Sequence, residues 1–184
     1  MSVTIKQTEE VPAAYPDAPS GLSANAAALD EAMVWERIEA HTAYRYSPRE
    51  VVWIVEGEGF WSPPLAPATI NTTELWDGET WGAVTLSTSP LDGLCLATDG
   101  PYRISASVGG GNVPAAVSEA FRRLAEYSAD ANKSNMLTGR PGASVHTGDI
   151  KGISETIERN PAWVARALQW SGAADLLRSY RRAS

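Results

Sequence analysis

The spacing of apolar residues changes character several times along this chain. Residues 1–22 carry Pro12, Pro16, Pro19 and Gly21 with few bulky apolar side chains. Such a composition buries too little surface to offset its ordering entropy, and an extended, mobile N-terminal arm is expected. From residue 23, in "SANAAALDEAMVWERIEAH", Leu29, Met33 or Val34 and Ile38 recur at helical spacing, with Asp30, Glu31, Glu36 and Glu39 turned outward. That pattern predicts one amphipathic helix over about 25–42, stopped by Pro48. "REVVWIVEG" then switches to a period of two, with Val51, Trp53 and Val55 alternating against Val52, Ile54 and Glu56, as a strand does.

Residues 57–110 read as antiparallel sheet, because short runs are punctuated by "SPPLAP", "WDGETW", "SPLDG" and "TDGPY". Asp77-Gly78 and Asp99-Gly100 are hairpin dipeptides, and Tyr102, Ile104, Ala106 and Val108 give a clean alternation. A second helix follows the triple glycine, with Asn112 as N-cap, Val113 and Pro114 in its first turn, and Val117, Ala120, Phe121, Leu124 and Tyr127 as its buried stripe. Residues 132–149 hold three glycines and a proline and are expected to be a loop. "IKGISETIE" fits either period and leans to extended backbone. Asn160 and Pro161 open a helix bearing Trp163, Val164, Ala167, Leu168 and Trp170, which Gly172 breaks before Leu176, Leu177 and Tyr180.

The expected fold class is α+β: a small antiparallel β-sheet packed with α-helices, plus an extended N-terminal arm and a helical C-terminal docking tail. The expected divisions are the arm at 1–22, a core of helix, strands and helix at 23–131, a flexible loop or arm at 132–160, and docking helices at 161–184.

Charge sharpens this outline. The 184-residue chain has a net charge of -7, which argues against general nucleic-acid coating, since such coats neutralise phosphates with Lys and Arg. The charge is also uneven. Residues 151–184 carry six cations and three anions, a net of +3, so the remainder carries -10. A basic, tryptophan-bearing end on an acidic body suggests a tail that docks on another molecule; the alternative is a tail folded back on its own sheet.

Candidate chemistry changes the picture little. Cys95 stands alone in the apolar run "GLCLA", which excludes an intramolecular disulfide and a cysteine zinc cluster and predicts a buried thiol. His41 and His146 lack metal-ligand spacing and neighbouring carboxylates, no serine stands in a nucleophile elbow, and the glycine run lacks the Lys-Ser or Lys-Thr of a phosphate loop. Trp61, Trp76 and Trp81 invite a sugar-binding reading, but sheet packing is the commoner fate of such residues. No enzyme activity, cofactor or metal is expected. With neither a signal-peptide pattern nor an apolar run near ~20 residues, a soluble cytosolic product with no membrane contact is expected.

"NVPAAVSEAFRRLAEYSA" together with the terminal "PAWVARALQWSGAADLLRSYRR" and the preceding "YSPREVVWIVEGEGFWSPPLAPATI" resembles the head-to-tail connector (adaptor) proteins of long-tailed phages and related gene transfer agents. In that family a helix opening on Val-Pro or Pro-Pro precedes a variable loop, and the chain ends on Leu-Leu-x-x-Tyr-Arg. Here those positions are Val113-Pro114 and Leu176-Leu177-Arg178-Ser179-Tyr180-Arg181, within a likeness spanning roughly 29–182. The family often begins with two longer helices around an acidic turn. Only one helix near 25–42 is expected here, so the outer helical layer should be reduced.

The resemblance implies a ring, usually of twelve copies, between the portal and the stopper or tail-completion protein at the virion neck, after assembly in the host cytoplasm. DNA would pass through its channel without sequence-specific binding, eased by the acidic body. Portal contact would fall to Trp163, Leu168, Trp170, Leu176, Leu177 and Tyr180, with Arg178, Arg181 and Arg182 as polar fasteners. Lys133, Arg140 and His146 would face the channel or a neighbouring subunit. Two other classes fit the residues. A non-ring assembly chaperone or regulator would dock through the same tail but stay small. A small binding enzyme would need His41 or His146 gathered with carboxylates.

Overall fold

The structure, a computed structural model, describes residues 1–90, 92–138, 145–150, 153–158 and 166–181, with the backbone alone for 131–138, 145–150 and 153–158. The protein is mixed α and β, with antiparallel sheets and a few helices. Its chain divides into two compact units, residues 1–16 with 42–112 and 182–184, and residues 17–41 with 113–181.

The first unit is built on strands. β1 (Val3–Glu9), β2 (Arg49–Glu56), β4 (Ala68–Trp76), β5 (Trp81–Ala83) and β8 (Tyr102–Val108) form a five-stranded antiparallel sheet in the order β1-β2-β8-β4-β5. β3 (Gly59–Trp61), β6 (Ser87–Thr88) and β7 (Leu94–Leu96) form a second sheet in the order β3-β7-β6. Because side chains alternate along a strand, Val51, Trp53 and Val55 of β2 and Tyr102, Ile104, Ala106 and Val108 of β8 share one buried face. Trp61, Leu65, Leu94 and Leu96 complete that core, with the Trp53 and Trp61 rings edge to face at 5.5 Å.

Two expectations change here. Residues 3–9 are extended, but they are no free arm: β1 pairs with β2 as an outer strand of the sheet. Thr4 and Gln7 pair opposite Val55 and Trp53, and each accepts a hydrogen bond from a buried indole, which anchors the strand in spite of its polar composition. Asp77-Gly78 does turn β4 into β5, where Asp77 Oδ1 accepts from the backbone N–H of Glu79 and Thr80. Asp99-Gly100 does not make a hairpin. β7 pairs with β3 and β6 while β8 pairs with β2 and β4, so this turn carries the chain from one sheet to the other.

The second unit is helical. The single helix expected over 25–42 is two, α1 (Ala24–Ala27) and α2 (Glu31–His41). Asp30 separates them, its carboxylate accepting from Ala32 N–H, so a side chain competes with helix continuation and then caps the next helix. Ser23 caps α1 through Ala26 N–H and is itself held by Glu126, which accepts from its backbone N–H and its hydroxyl at 2.6 and 2.7 Å. α3 (Ala115–Thr138) starts at Pro114, whose carbonyl accepts from Ser118 N–H, and not at Asn112. Its buried face is Val117, Ala120, Phe121, Leu124, Ala125 and Ala129, with Phe121 against Trp35 at 5.0 Å. Glu39, expected outside, is buried.

The expected loop over 132–149 is largely regular. α3 runs on to Thr138, and β9 (Val145–Ile150) pairs antiparallel with β10 (Ile153–Glu158), Ile150 opposite Ile153 and Val145 opposite Glu158. The lean to extended backbone in "IKGISETIE" agrees with β10; its partner β9 was not anticipated, because Gly148 and the flanking Gly139 and Gly142 mask its short alternation.

Candidate functional site

The C-terminal residues that the sequence marks for docking form two short helices, α4 (Ala167–Trp170) and α5 (Ala173–Leu176), and a 3-10 turn at Arg178–Tyr180. Gly172 breaks the path between them with φ 75°, a left-handed backbone that suits glycine. Both short helices lie against α3. Ala167 and Ala173 present only methyl groups there and are buried, which allows close approach, and Leu177 is fully buried.

The tail therefore has two sides. Leu177 belongs to the core of its own unit and is no surface anchor in this conformation; the tail folds back on a helix, not on a sheet. Leu168, Leu176 and Tyr180 are half-buried. Trp170, 49% exposed, together with Arg178 and Arg181, faces solvent. Trp163 and Arg182, and the start expected at Asn160 and Pro161, lie outside the described residues. Of the loop residues, Lys133 falls in α3 and His146 in β9 opposite Ile157, while Arg140 lies outside the described residues. The structure therefore gathers the tail residues on one segment and assigns Lys133 and His146 to different elements.

His41, at the end of α2, is half-buried, and its Nε2 has no hydrogen-bond partner. Burial, and then the positive charge of Arg181, hold its pKa below the ordinary 6.5. A second charged cluster was not foreseen. Glu9 receives Arg45 Nε at 2.5 Å and Arg49 Nη1 at 3.0 Å, and Arg49 lies over the Tyr15 ring. Burial raises the Glu9 pKa, but the two arginines outweigh it and hold the carboxyl below its usual range. These partners are 36 and 40 residues apart, so no local spacing signals the cluster.

Trp76 and Trp81 pair across the β4–β5 turn at 5.2 Å, and the Arg103 guanidinium lies 4.8 Å from the Trp81 ring centre. Arg103 is clamped by Glu74 through bonds of 2.5 and 2.7 Å, which lower the carboxyl pKa and raise that of the guanidinium. Trp61 is in the core. The three tryptophans thus pack within their own sheets. Cys95 is exposed, because strand parity puts it opposite the buried Leu94 and Leu96. Among the described residues, no three His, Cys, Asp or Glu side chains gather as a metal ion requires, and no helix is long and apolar enough to cross a membrane.

No protein-family model matches this chain, and a search of curated proteins found no match.

Proposed function

We propose that the chain is a structural head-to-tail adaptor, assembled as a ring between the portal and the stopper or tail of a phage or phage-like particle, with a central channel for DNA. The observation that carries this reading is the β9–β10 ribbon. It follows a 24-residue helix and pairs only with itself among the described strands. A two-stranded ribbon is marginal alone in water, so a chain that retains one supplies a part that a neighbour completes. The exposed side of the tail offers a separate surface: Trp170, Arg178 and Arg181 have the chemistry of interface anchors. The net charge of -7 suits a channel along which a polyanion slides.

The test is binding to capsids that carry the portal of the same particle and lack its neck. The chain should add at the portal vertex in a fixed copy number and image there as a closed ring. Binding elsewhere, or as single copies around the vertex, would overturn the reading and favour the non-ring chaperone.

A further inference from the structure

β4 pairs with β8 along its length but with β5 only at Glu74, Leu75 and Trp76, so no described strand pairs with its first half, 68–72, on the side away from β8. The Pro67 carbonyl accepts from Gly109 N–H just past β8, and backbone groups alternate in direction, so those of Ala68 and Ile70 point out of the sheet edge. In the smaller sheet Ser89 N–H donates to the Gly93 carbonyl, so the backbone of Thr88 on β6 points away from β7 in the same way. A cavity of about 450 Å³ is walled by Leu65, Ala68 and Ile70 together with Thr88, Asp92 and Leu94. Leu65 and Leu94 belong to the core of the sheet unit, and Ala68 and Ile70 pack against it, so the cavity is an uncovered side of that core. Open backbone edges beside an apolar recess are the geometry of strand addition: backbone bonds supply the attachment, and alternate side chains enter the recess. Outer strands are ordinarily guarded by charge, as β1 is by Lys6, whereas 68–72 carries none.

Charge selects the occupant. Among the described residues, Asp92 is the one charged group on the cavity wall. Residues 1–16 and 42–112 hold four cations and ten anions, and three of those cations, Arg45, Arg49 and Arg103, already bind Glu9 or Glu74. The field at the cleft is therefore negative and attracts a basic segment. A second copy of this chain does not supply one. Its ribbon, 145–158, holds one cation and three anions, and its second unit, 17–41 with 113–181, holds ten cations and twelve anions. Arg178, in its basic tail, lies in a helical turn, which cannot add as a strand. We infer that the cleft receives an extended segment of a different protein, apolar at alternate positions and carrying a lysine or arginine that meets Asp92. The inference goes beyond the ring reading and does not depend on it.

The experiment titrates the isotope-labelled full chain with a short blocked peptide of alternating valine and threonine flanked by lysines. The peptide should bind one to one and shift the amide signals of residues 68–70, 88 and 92–94 before any others. Its glutamate-flanked counterpart should bind roughly tenfold more weakly through charge. The lysine peptide N-methylated at alternate residues should lose a similar factor, through the missing backbone bonds. Asp92→Asn should weaken the lysine peptide about two- to fivefold, the worth of one exposed ion pair. Asparagine tolerates the left-handed backbone at this position, where φ is 62°, so the variant keeps the fold. No binding at about 1 mM peptide, equal binding of the lysine and glutamate peptides, or shifts centred elsewhere would each overturn the inference. Self-association of the chain alone that the peptide reverses would also overturn it and give the cleft to a second copy. The ring reading is decided separately, on portal-bearing capsids.

Discussion

Gln7 Oε1 accepts a hydrogen bond from Trp53 Nε1 at 2.9 Å, and three residues earlier Thr4 Oγ1 accepts from Trp61 Nε1 at the same distance. In a regular strand, positions 4 and 7 point to opposite faces. Here the register shifts between Thr4 and Lys6, leaving Ile5 as the extra residue of a bulge, so both polar side chains reach inward. A polar outer strand thereby satisfies two indole donors of the apolar core. Gln7→Leu and Thr4→Val each leave one buried N–H without an acceptor and should cost about 1–3 kcal/mol, read by urea unfolding with tryptophan fluorescence. A loss below a few tenths in both would show that water replaces the lost acceptors.

The Glu9 cluster predicts acid sensitivity with a definite sign. The folded-state pKa of Glu9 lies below its ordinary 4.5, so the folded protein binds fewer protons there than the unfolded chain. Its contribution is fully present above about pH 4.5 and is lost as pH falls through the lower, folded value. Unfolding free energy measured from pH 7 down to 3 should decline over that window in the parent and change less in Glu9→Gln. The substitution itself should cost about 1.5–3 kcal/mol at pH 7, because Arg45 and Arg49 lose a charged acceptor.

His41 also loses stability on acidification, but because its charged form is disfavoured in the folded state, whereas that of Glu9 is favoured. The His41 pKa is depressed, so protonation is harder in the folded state, and stability falls as pH drops from 6.5 through the folded value. NMR titration should place the His41 midpoint below 6.5. Arg181→Gln should move it upward without restoring the ordinary value, since burial is the larger cause. An unchanged midpoint in that variant would remove Arg181 from the account.

Much of the sheet was legible because a single apolar face forces alternation, as in Tyr102–Val108. The triple glycine was also readable as a strand-to-helix joint. Gly109, Gly110 and Gly111 all have φ near +90°, and a Cβ on Gly109 would stand 2.2 Å from the Ser47 carbonyl oxygen. Pairings across long sequence separation were not legible. Nothing local says that Glu9 meets Arg45 or that β8 leaves β7 for the other sheet. The split of the first helical pattern was different: Ser23 and Asp30 are local caps, three and two residues from the N–H groups they receive, and the apolar spacing that runs past Asp30 hid them. For the tail, sequence correctly marked Gly172 as a break. It did not separate inward from outward residues on helices only four residues long, where one turn gives too few positions to define a face.

That separation sets the final prediction, which concerns Leu177 and Trp170. Leu177 is fully buried in a unit where α5 packs on α3, so Leu177→Ala removes core atoms and leaves a cavity. It should cost about 2–5 kcal/mol. Trp170 is half exposed, and Trp170→Ala should change stability little, within about 0.5–1 kcal/mol. Portal binding should order the two variants differently from stability. Trp170→Ala, folded and near parental in melting temperature, should bind portal-bearing capsids at least about tenfold more weakly, the loss expected for one desolvated aromatic anchor per subunit. Leu177→Ala should bind in proportion to its folded fraction. If Trp170→Ala instead binds like the parent, the exposed side of the tail is not the clamp. If removing residues 166–184 leaves thermal unfolding unchanged, Leu177 contributes nothing to the helical unit, and the folded-back tail is a resting place from which the whole segment can be released to a partner.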